Sequence, residues 1–488
     1  MTMTRMFPLL LSLALAACSV GPDYQKPPVE TPALYKELGD WKLAEPQPAA
    51  SDAPWWSVYG DPVLDGLEKQ VVISNQNLKA QEAAYRQSVA LVAEARANYF
   101  PSLGVDPSAT RSKAASGQFG GGKIRNQFAL PADASWVIDI WGQTRRQVEA
   151  ATATAQADAA QLAALTLSTQ ATLAQDYFQL RVSDEQKRLL DATSAAYLRQ
   201  LQITENKYRA GTVGKSDVAQ AQAILENARS QAVALGVTRA QLEHAIAVLI
   251  GKPPADFSLA PVTFAFSAPV APAGVPSQLL ERNPTVAQAE RSMAAANAQI
   301  GVAVAGYFPT LTLTGSYGVA SAMLDTLLKA SSVTWAAGPQ IALNLFNGGL
   351  TTAQVAAARA GYDQTVAAYR QTVLTAFQGV EDNLAALKIL EEQSEVQDRA
   401  VAAAGEAERL ILNQYRAGTV DFTSVITAQA TSLADRQTQL AILQSRFNAS
   451  VLLIENLGGG WEAKNLPGDS LPIPPPGYPP EAETRESK

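Results

Sequence analysis

Residues 143–210 form a run of 68 without a single Pro or Gly, and this run constrains the fold more than any other feature. Pro removes a helix donor and clashes with the preceding turn, and Gly weakens a helix through its backbone freedom. The run is dense in Ala, Gln, Leu, Glu and Arg, all strong helix formers. At 1.5 Å per residue it predicts one rod about 100 Å long. Leu162, Leu165, Thr169, Leu173, Tyr177 and Leu180 step by three and four, and Leu190, Tyr197, Leu201 and Tyr208 continue the seam. This is coiled-coil spacing. Residues 350–417 offer a second run of the same length, weakened locally by Gly361, Gly379 and Gly405.

The two rods belong to a tandem duplication, and repeats precede any domain count. Tyr99-Phe100-Pro101-Ser102-Leu103 recurs as Tyr307-Phe308-Pro309-Thr310-Leu311, and Tyr208-Arg209-Ala210-Gly211-Thr212-Val213 recurs as Tyr415-Arg416-Ala417-Gly418-Thr419-Val420. Shorter helical tracts flank each rod: 64–99 and 215–250 in the first unit, 277–308 and 419–457 in the second. Laid end to end, each short pair nearly equals its rod, so a long column can lie beside a stacked one.

Between the helices the period changes to two. Phe128, Leu130, Ala132, Ala134, Trp136, Ile138 and Ile140 alternate with Pro131, Asp133, Ser135 and Asp139; Leu311, Leu313, Tyr317 and Val319 alternate with Thr312, Thr314 and Ser316, and Ile341, Leu343 and Leu345 do likewise. One apolar face and one polar face suit a membrane β-barrel strand, although a sandwich edge reads the same. Two strands per unit make four per chain, and four cannot close a barrel that needs at least eight. Several chains must share one barrel; two, three or four would close it. Three give a twelve-strand barrel continued by a twelve-helix tube.

Composition removes other classes. With 38 basic and 45 acidic residues the net charge is −7, which offers no field to attract nucleic acid phosphates. One Cys and one His exclude a disulfide framework and a Cys/His zinc cluster. His244 has no second His to work with, and no phosphate-cradling Gly-rich loop is evident, so an enzyme is not expected, nor any cofactor beyond covalent lipid. Residues 1–17 carry Arg5 and an apolar run from Met6 to Ala17, the layout of a secretory signal. No other uninterrupted apolar stretch approaches 18 residues. Leu15-Ala16-Ala17-Cys18 resembles a bacterial lipobox, which implies a lipid on Cys18; Ser19 after it implies sorting to the outer membrane.

The chain as a whole resembles the TolC-like outer-membrane efflux protein family, in the lipoprotein branch serving RND-type pumps. The resemblance is carried by Cys18 to Tyr24 with Pro27, Trp55-Trp56, Asp61-Pro62-Val63-Leu64, both Tyr-Phe-Pro-x-Leu segments, Trp136 to Gly142, both Tyr-Arg-Ala-Gly-Thr-Val segments, and Leu457 to Trp461. It implies a homotrimer in the bacterial outer membrane, lipid-anchored, with a barrel, a periplasmic coiled-coil tube and an equatorial belt. Its partners would be a periplasmic adaptor and an inner-membrane RND-type transporter. The organisation so implied is a signal at 1–17, an anchored equatorial segment at 18–63, repeats at 64–250 and 277–457, a Pro-rich equatorial linker at 251–276, and an equatorial segment with a disordered tail at 458–488.

Mechanism then concerns gating. The resemblance places Tyr208 with Gly211 and Tyr415 with Gly418 at the periplasmic tip, where the adaptor docks and the tube narrows. TolC has an acidic constriction ring downstream of its second turn; this chain has Ser424 and Thr427 there. Asp421, just after Gly418, and Asp217, placed correspondingly in the first unit, are the polar gate candidates, against a plain reading as solvated helix-start carboxylates. Two other functions compete: an exit duct for type I protein secretion, and a non-transport coiled-coil spacer lipoprotein, which explains the helices but not the strands.

Overall fold

The computed structural model describes residues 19–38, 54–113, 115, 122, 124–262 and 276–468. The signal at 1–17, Cys18, linker residues 263–275 and the tail beyond 468 lie outside them. The first unit contains α1 (Pro62–Ser74), α2 (Gln76–Ala97), β1 (Ser102–Val105), β2 (Ser108–Lys113), β3 (Ile124–Ile138), α3 (Gln143–Arg209) and α4 (Lys215–Leu249). The second contains α5 (Pro276–Arg282), α6 (Pro284–Ala305), β4 (Thr310–Ser321), β5 (Val333–Ala342), α7 (Leu350–Ala417) and α8 (Phe422–Asn456).

Both rods are unbroken, at 67 residues for α3 and 68 for α7. The glycines inside α7 do not interrupt it. The short columns differ from expectation: the tract 64–99 is cut at Asn75 and the tract 277–308 at Asn283. Only the later piece of each, α2 or α6, stacks on the 35-residue helix rising from the tip, α4 or α8. The 13-residue α1 turns aside and buries Leu64, Leu67 and Val71 against Tyr177 and Phe178 of α3, Ile246 of α4, and Phe447 and Val451 of α8. That cluster forms a belt at mid-height.

The stacking joint has one chemistry in both repeats. Asn75 Oδ1 accepts from the amides of Asn77 and Leu78, capping α2, while its Nδ2 donates to Leu249 O at 2.8 Å, the end of α4. Asn283 caps α6 through Thr285 and Val286 and donates to Asn456 O at 3.0 Å, the end of α8. One amide thus satisfies the orphan donors of one helix and an orphan acceptor of the next. The macrodipoles meet head to tail, which is favourable. Asn and Asp are ordinarily equivalent at a helix start, but Asp has no donor and would set a charge against a carbonyl. Asn75→Asp and Asn283→Asp are therefore expected to destabilise by about 2 kcal/mol each, read as a lowered melting point in detergent. Asp matching Asn would refute the splice.

The strands form one antiparallel sheet in the order β1/β2, β3, β4, β5. β1 and β2 are a single strand interrupted at Asp106-Pro107, because both pair with β3 in one register, Val105 opposite Ala132 and Ser108 opposite Ala129. Pro has no amide to give the ladder. Strand β5 ends at Ala342, so Leu343 and Leu345, expected within it, lie beyond; Leu345 and Phe346 are each 91% exposed. Leu103, Val105, Leu130, Ala132, Trp136, Ile138, Leu313, Tyr317, Val319, Val333, Trp335 and Ile341 share one face by register. The other face carries Ser102, Asp133, Ser135, Thr312, Thr314, Ser316, Thr334 and Gln340.

Helix α4 is, among the described helices, long and apolar enough to cross a membrane by composition. Instead it buries Ala221, Leu225, Ala228 and Ala232 in the coiled coil, and Glu226 pairs with Arg229 on its surface. After α4 the start of the linker is tied down: Arg239 bridges Asp184 and Glu243, and Glu243 accepts from Leu259 N and Ser258 Oγ. At the other end of the chain, residues 19–38 run along the outside as a strap. Val20 N bonds Trp141 O, Asp23 pairs with Arg146 at 2.6 Å, Tyr24 donates to Glu290, and Glu381 accepts from the amides of Lys36 and Glu37.

Candidate functional site

Both tip turns follow from Gly in a left-handed conformation, φ +74° at Gly211 and +82° at Gly418. Gly211 N bonds Tyr208 O and Thr212 N bonds Lys207 O; Gly418 N bonds Tyr415 O and Thr419 N bonds Gln414 O. Each pair is a Schellman cap, whose left-handed residue favours Gly. Thr212 and Thr419 each add a hydroxyl to the same carbonyl as their amide. The repeated hexapeptide therefore encodes a helix stop that closes its own backbone groups.

Identical sextets do not give identical environments. Tyr208 is 44% exposed, whereas Tyr415 is 2% exposed and packs with Phe422, Val425 and Ala221. Ala221 belongs to the first repeat, so Tyr415 joins the two hairpins. Lys207 Nζ sits 4.1 Å from the Tyr415 ring centroid and donates to Tyr415 O. Thr204 Oγ1 lies 3.4 Å from the Tyr415 hydroxyl. Burial and the nearby Asp217 charge raise the phenol pKa, with the Thr204 bond opposing. Sequence reasoning missed Lys207 and Thr204; one directly precedes Tyr208 and the other lies one turn before it, and neither position reveals a partner in the other repeat.

The acidic candidates are not counterparts. Asp421 caps α8, its Oδ1 accepting from Ser424 N at 2.9 Å and Ser424 Oγ at 2.6 Å. The position equivalent to it by the duplication is Gly214, the N-cap of α4, and Asp217 aligns with Ser424. The corresponding placement expected from sequence is thus corrected: one repeat has its carboxylate at the cap, the other a turn inside. Bonding to Ser424 holds the Asp421 carboxyl below its ordinary value. Asp421, Ser424 and Thr427 line one groove of about 420 Å³ between α7 and α8, with Ala404, Ala407 and Ile411 opposite.

A second unusual group lies in the belt. Glu68 is fully buried beside Leu64, Leu67 and Val71, and neither carboxylate oxygen has a partner among the described residues. Burial alone pushes it from 4.5 up to about 9. A carboxyl raised in the folded state keeps a proton that the unfolded chain releases, so stability falls as pH rises from about 4.5 to about 9. Glu68→Gln is expected to flatten that slope and to add about 2 kcal/mol at pH 7.5. Melting the two proteins across this window tests it; equal slopes would exclude the effect.

A sheet with one apolar face, mounted on two rods of about 100 Å, defines an outer-membrane duct: a barrel in lipid continued by a helical tube across the periplasm. The spacer reading fails on the sheet. The chain belongs to the outer membrane efflux protein family, whose profile matches residues 67–252 and 275–459. It is similar to the probable efflux pump outer membrane protein TtgC of Pseudomonas putida, 30% identical over 93% of this chain and 96% of that protein. It is 28% identical to the cation efflux system protein CusC of Escherichia coli, over 95% of this chain and all of that one. Among solved structures, the outer-membrane channel OprN superposes with a TM-score of 0.86 at 28% identity, over 91% of this chain and 100% of that one. The protein is the outer-membrane channel of a tripartite efflux pump, working with a periplasmic adaptor and an inner-membrane transporter, and it makes and breaks no bonds.

Proposed function

We propose that three copies close head to tail into a twelve-strand barrel and a twelve-helix tube that discharges small toxic solutes or drugs. The observation that carries this is the pair of open edges. Among the described residues, the β1/β2 strand pairs only with β3, and β5 only with β4. An unpaired edge is intolerable in hydrocarbon, and pairing β5 of one copy with β1/β2 of the next removes every edge through a closed ring. The number three rests on the family resemblance.

A lipid on Cys18 would complete the anchor. Ser19 lies against Gly142, at the junction of sheet and rods, where a Cβ on the glycine would come within 2.9 Å of Ser19 Oγ. An acyl group one residue earlier would enter the inner leaflet. At the far end, Lys207 on Tyr415 acts as a latch between hairpins, and an adaptor that favours the open state would release it. The tip turns around Tyr208 and Gly211 and around Gly418 are the docking surface, with Asp217, Asp421, Ser424 and Thr427 as polar residues of the closed gate.

Light scattering of the detergent-extracted protein tests the assembly, with three times the mass of one processed chain expected. A single mass in gentle detergent would overturn it. Deleting the gene and scoring susceptibility to dyes, antibiotics and solvents tests the cargo; unchanged susceptibility across the panel would remove the efflux of toxic solutes.

A further inference from the structure

The lipid-facing side of the sheet has a height scale. From Ile138 to Phe128, β3 takes ten steps of about 3.3 Å, which at a tilt of about 40° spans about 25 Å, the thickness of a barrel's apolar band. The next positions outward on that face are Arg111, opposite Asn126, and Lys113, opposite Ile124. Both are exposed, and neither makes an ion pair among the described residues. On the described strands these are the only charges on the lipid-facing side, both are cations, and both sit on β2 just above Phe128. The rods lie at the other end of the sheet, so this rim faces the exterior. The sequence from 106 to 126 carries Arg111, Lys113, Lys123 and Arg125 against Asp106, in a chain whose net charge is −7.

We propose that Arg111 and Lys113 form a binding site for the phosphates of outer-leaflet lipid, which fastens the rim of the barrel to the membrane surface. Charge complementarity and direct continuity with the apolar band select the occupant: acyl chains lie against Leu130, Ala132 and Val105, and the headgroup phosphate meets the cations above them. A long cationic stem can lie along apolar surface and keep its head at the phosphate level. Each surface cation near an anionic leaflet adds about tenfold or less in affinity. Arg125 alternates to the lumen side, opposite Ser112, and takes no part.

The test uses the full-length protein in phosphatidylcholine nanodiscs doped with bisphosphorylated lipid A, with retained lipid counted by native mass spectrometry after detergent release. Wild type is expected to retain bisphosphorylated lipid A about tenfold better than the dephosphorylated form. Arg111→Ala with Lys113→Ala loses this preference, Arg111→Lys with Lys113→Arg keeps it, and Arg125→Ala behaves as wild type. Excess inorganic phosphate is expected to leave the lipid bound, since the acyl chains are part of the site. Equal retention of both lipid forms by wild type overturns the proposal, whatever the variants do. Failure to enter discs at all would count against the barrel instead.

Discussion

Gly458→Ala is expected to be the most damaging small substitution in the belt, costing roughly 4 kcal/mol or more and collapsing the yield of assembled protein. Gly458 has φ +94°, and an added Cβ would stand 1.9 Å from Arg282 O, a backbone atom fixed by the neighbouring Asn283 joint. Gly251, its counterpart after α4, has φ +68° with a Cβ position 2.3 Å from Ser74 O. The same joint is built twice: a left-handed glycine lets the end of one helix reach the residue before the splicing Asn. Gly211→Ala and Gly418→Ala provide the control. Both have positive φ but nothing within 4 Å, so they carry only the conformational penalty of about 1–2 kcal/mol. Apparent melting temperatures of the four variants in one detergent decide it. Equal losses at all four positions would mean that the joint is not the constraint.

Tyr415→Ala is the second large effect. Truncating a buried aromatic costs about 3–5 kcal/mol, and here the loss falls between the two hairpins at the tip. The Lys207 ammonium loses the ring beneath it, and the first-repeat hairpin loses its hold on the second. The channel is expected to rest open, with a several-fold higher basal conductance in planar bilayers. Tyr415→Phe keeps the ring and its packing and gives up only the long Thr204 contact, so it should behave nearly as wild type. Lys207→Met, which keeps the stem without the charge, should leave stability almost unchanged and raise the basal conductance. If Lys207→Met conducts like wild type, the latch is excluded while the packing role of Tyr415 stands.

Much of this was legible from local pattern. The absence of Pro and Gly from 143–210 yields α3 almost to the residue, and the duplicated hexapeptides mark two Schellman turns. Alternation within 128–138 and 311–319 marks strands and already sorts their faces. The joints were legible too, but only with the duplication in hand: Asn75 and Asn283 fall at the same offset as the Tyr-Phe-Pro segments, as do Gly251 and Gly458 with the tip sextets. Read singly, each residue carries no sign of a joint, and the short tracts read as whole columns.

The sequence by itself determined the elements, their lengths, the twofold repeat and the need for more than one chain, because helix and strand periods and backbone-restricting residues act over a few neighbours. Tertiary structure alone decided that α1 leaves the column to fill the belt, that Tyr415 is buried while Tyr208 is exposed, and that Lys207 meets the opposite repeat. Those outcomes depend on contacts between residues more than a hundred positions apart. Two copies of one local code are packed against different neighbours, and the neighbour, not the code, sets burial, charge partners and the proposed gate.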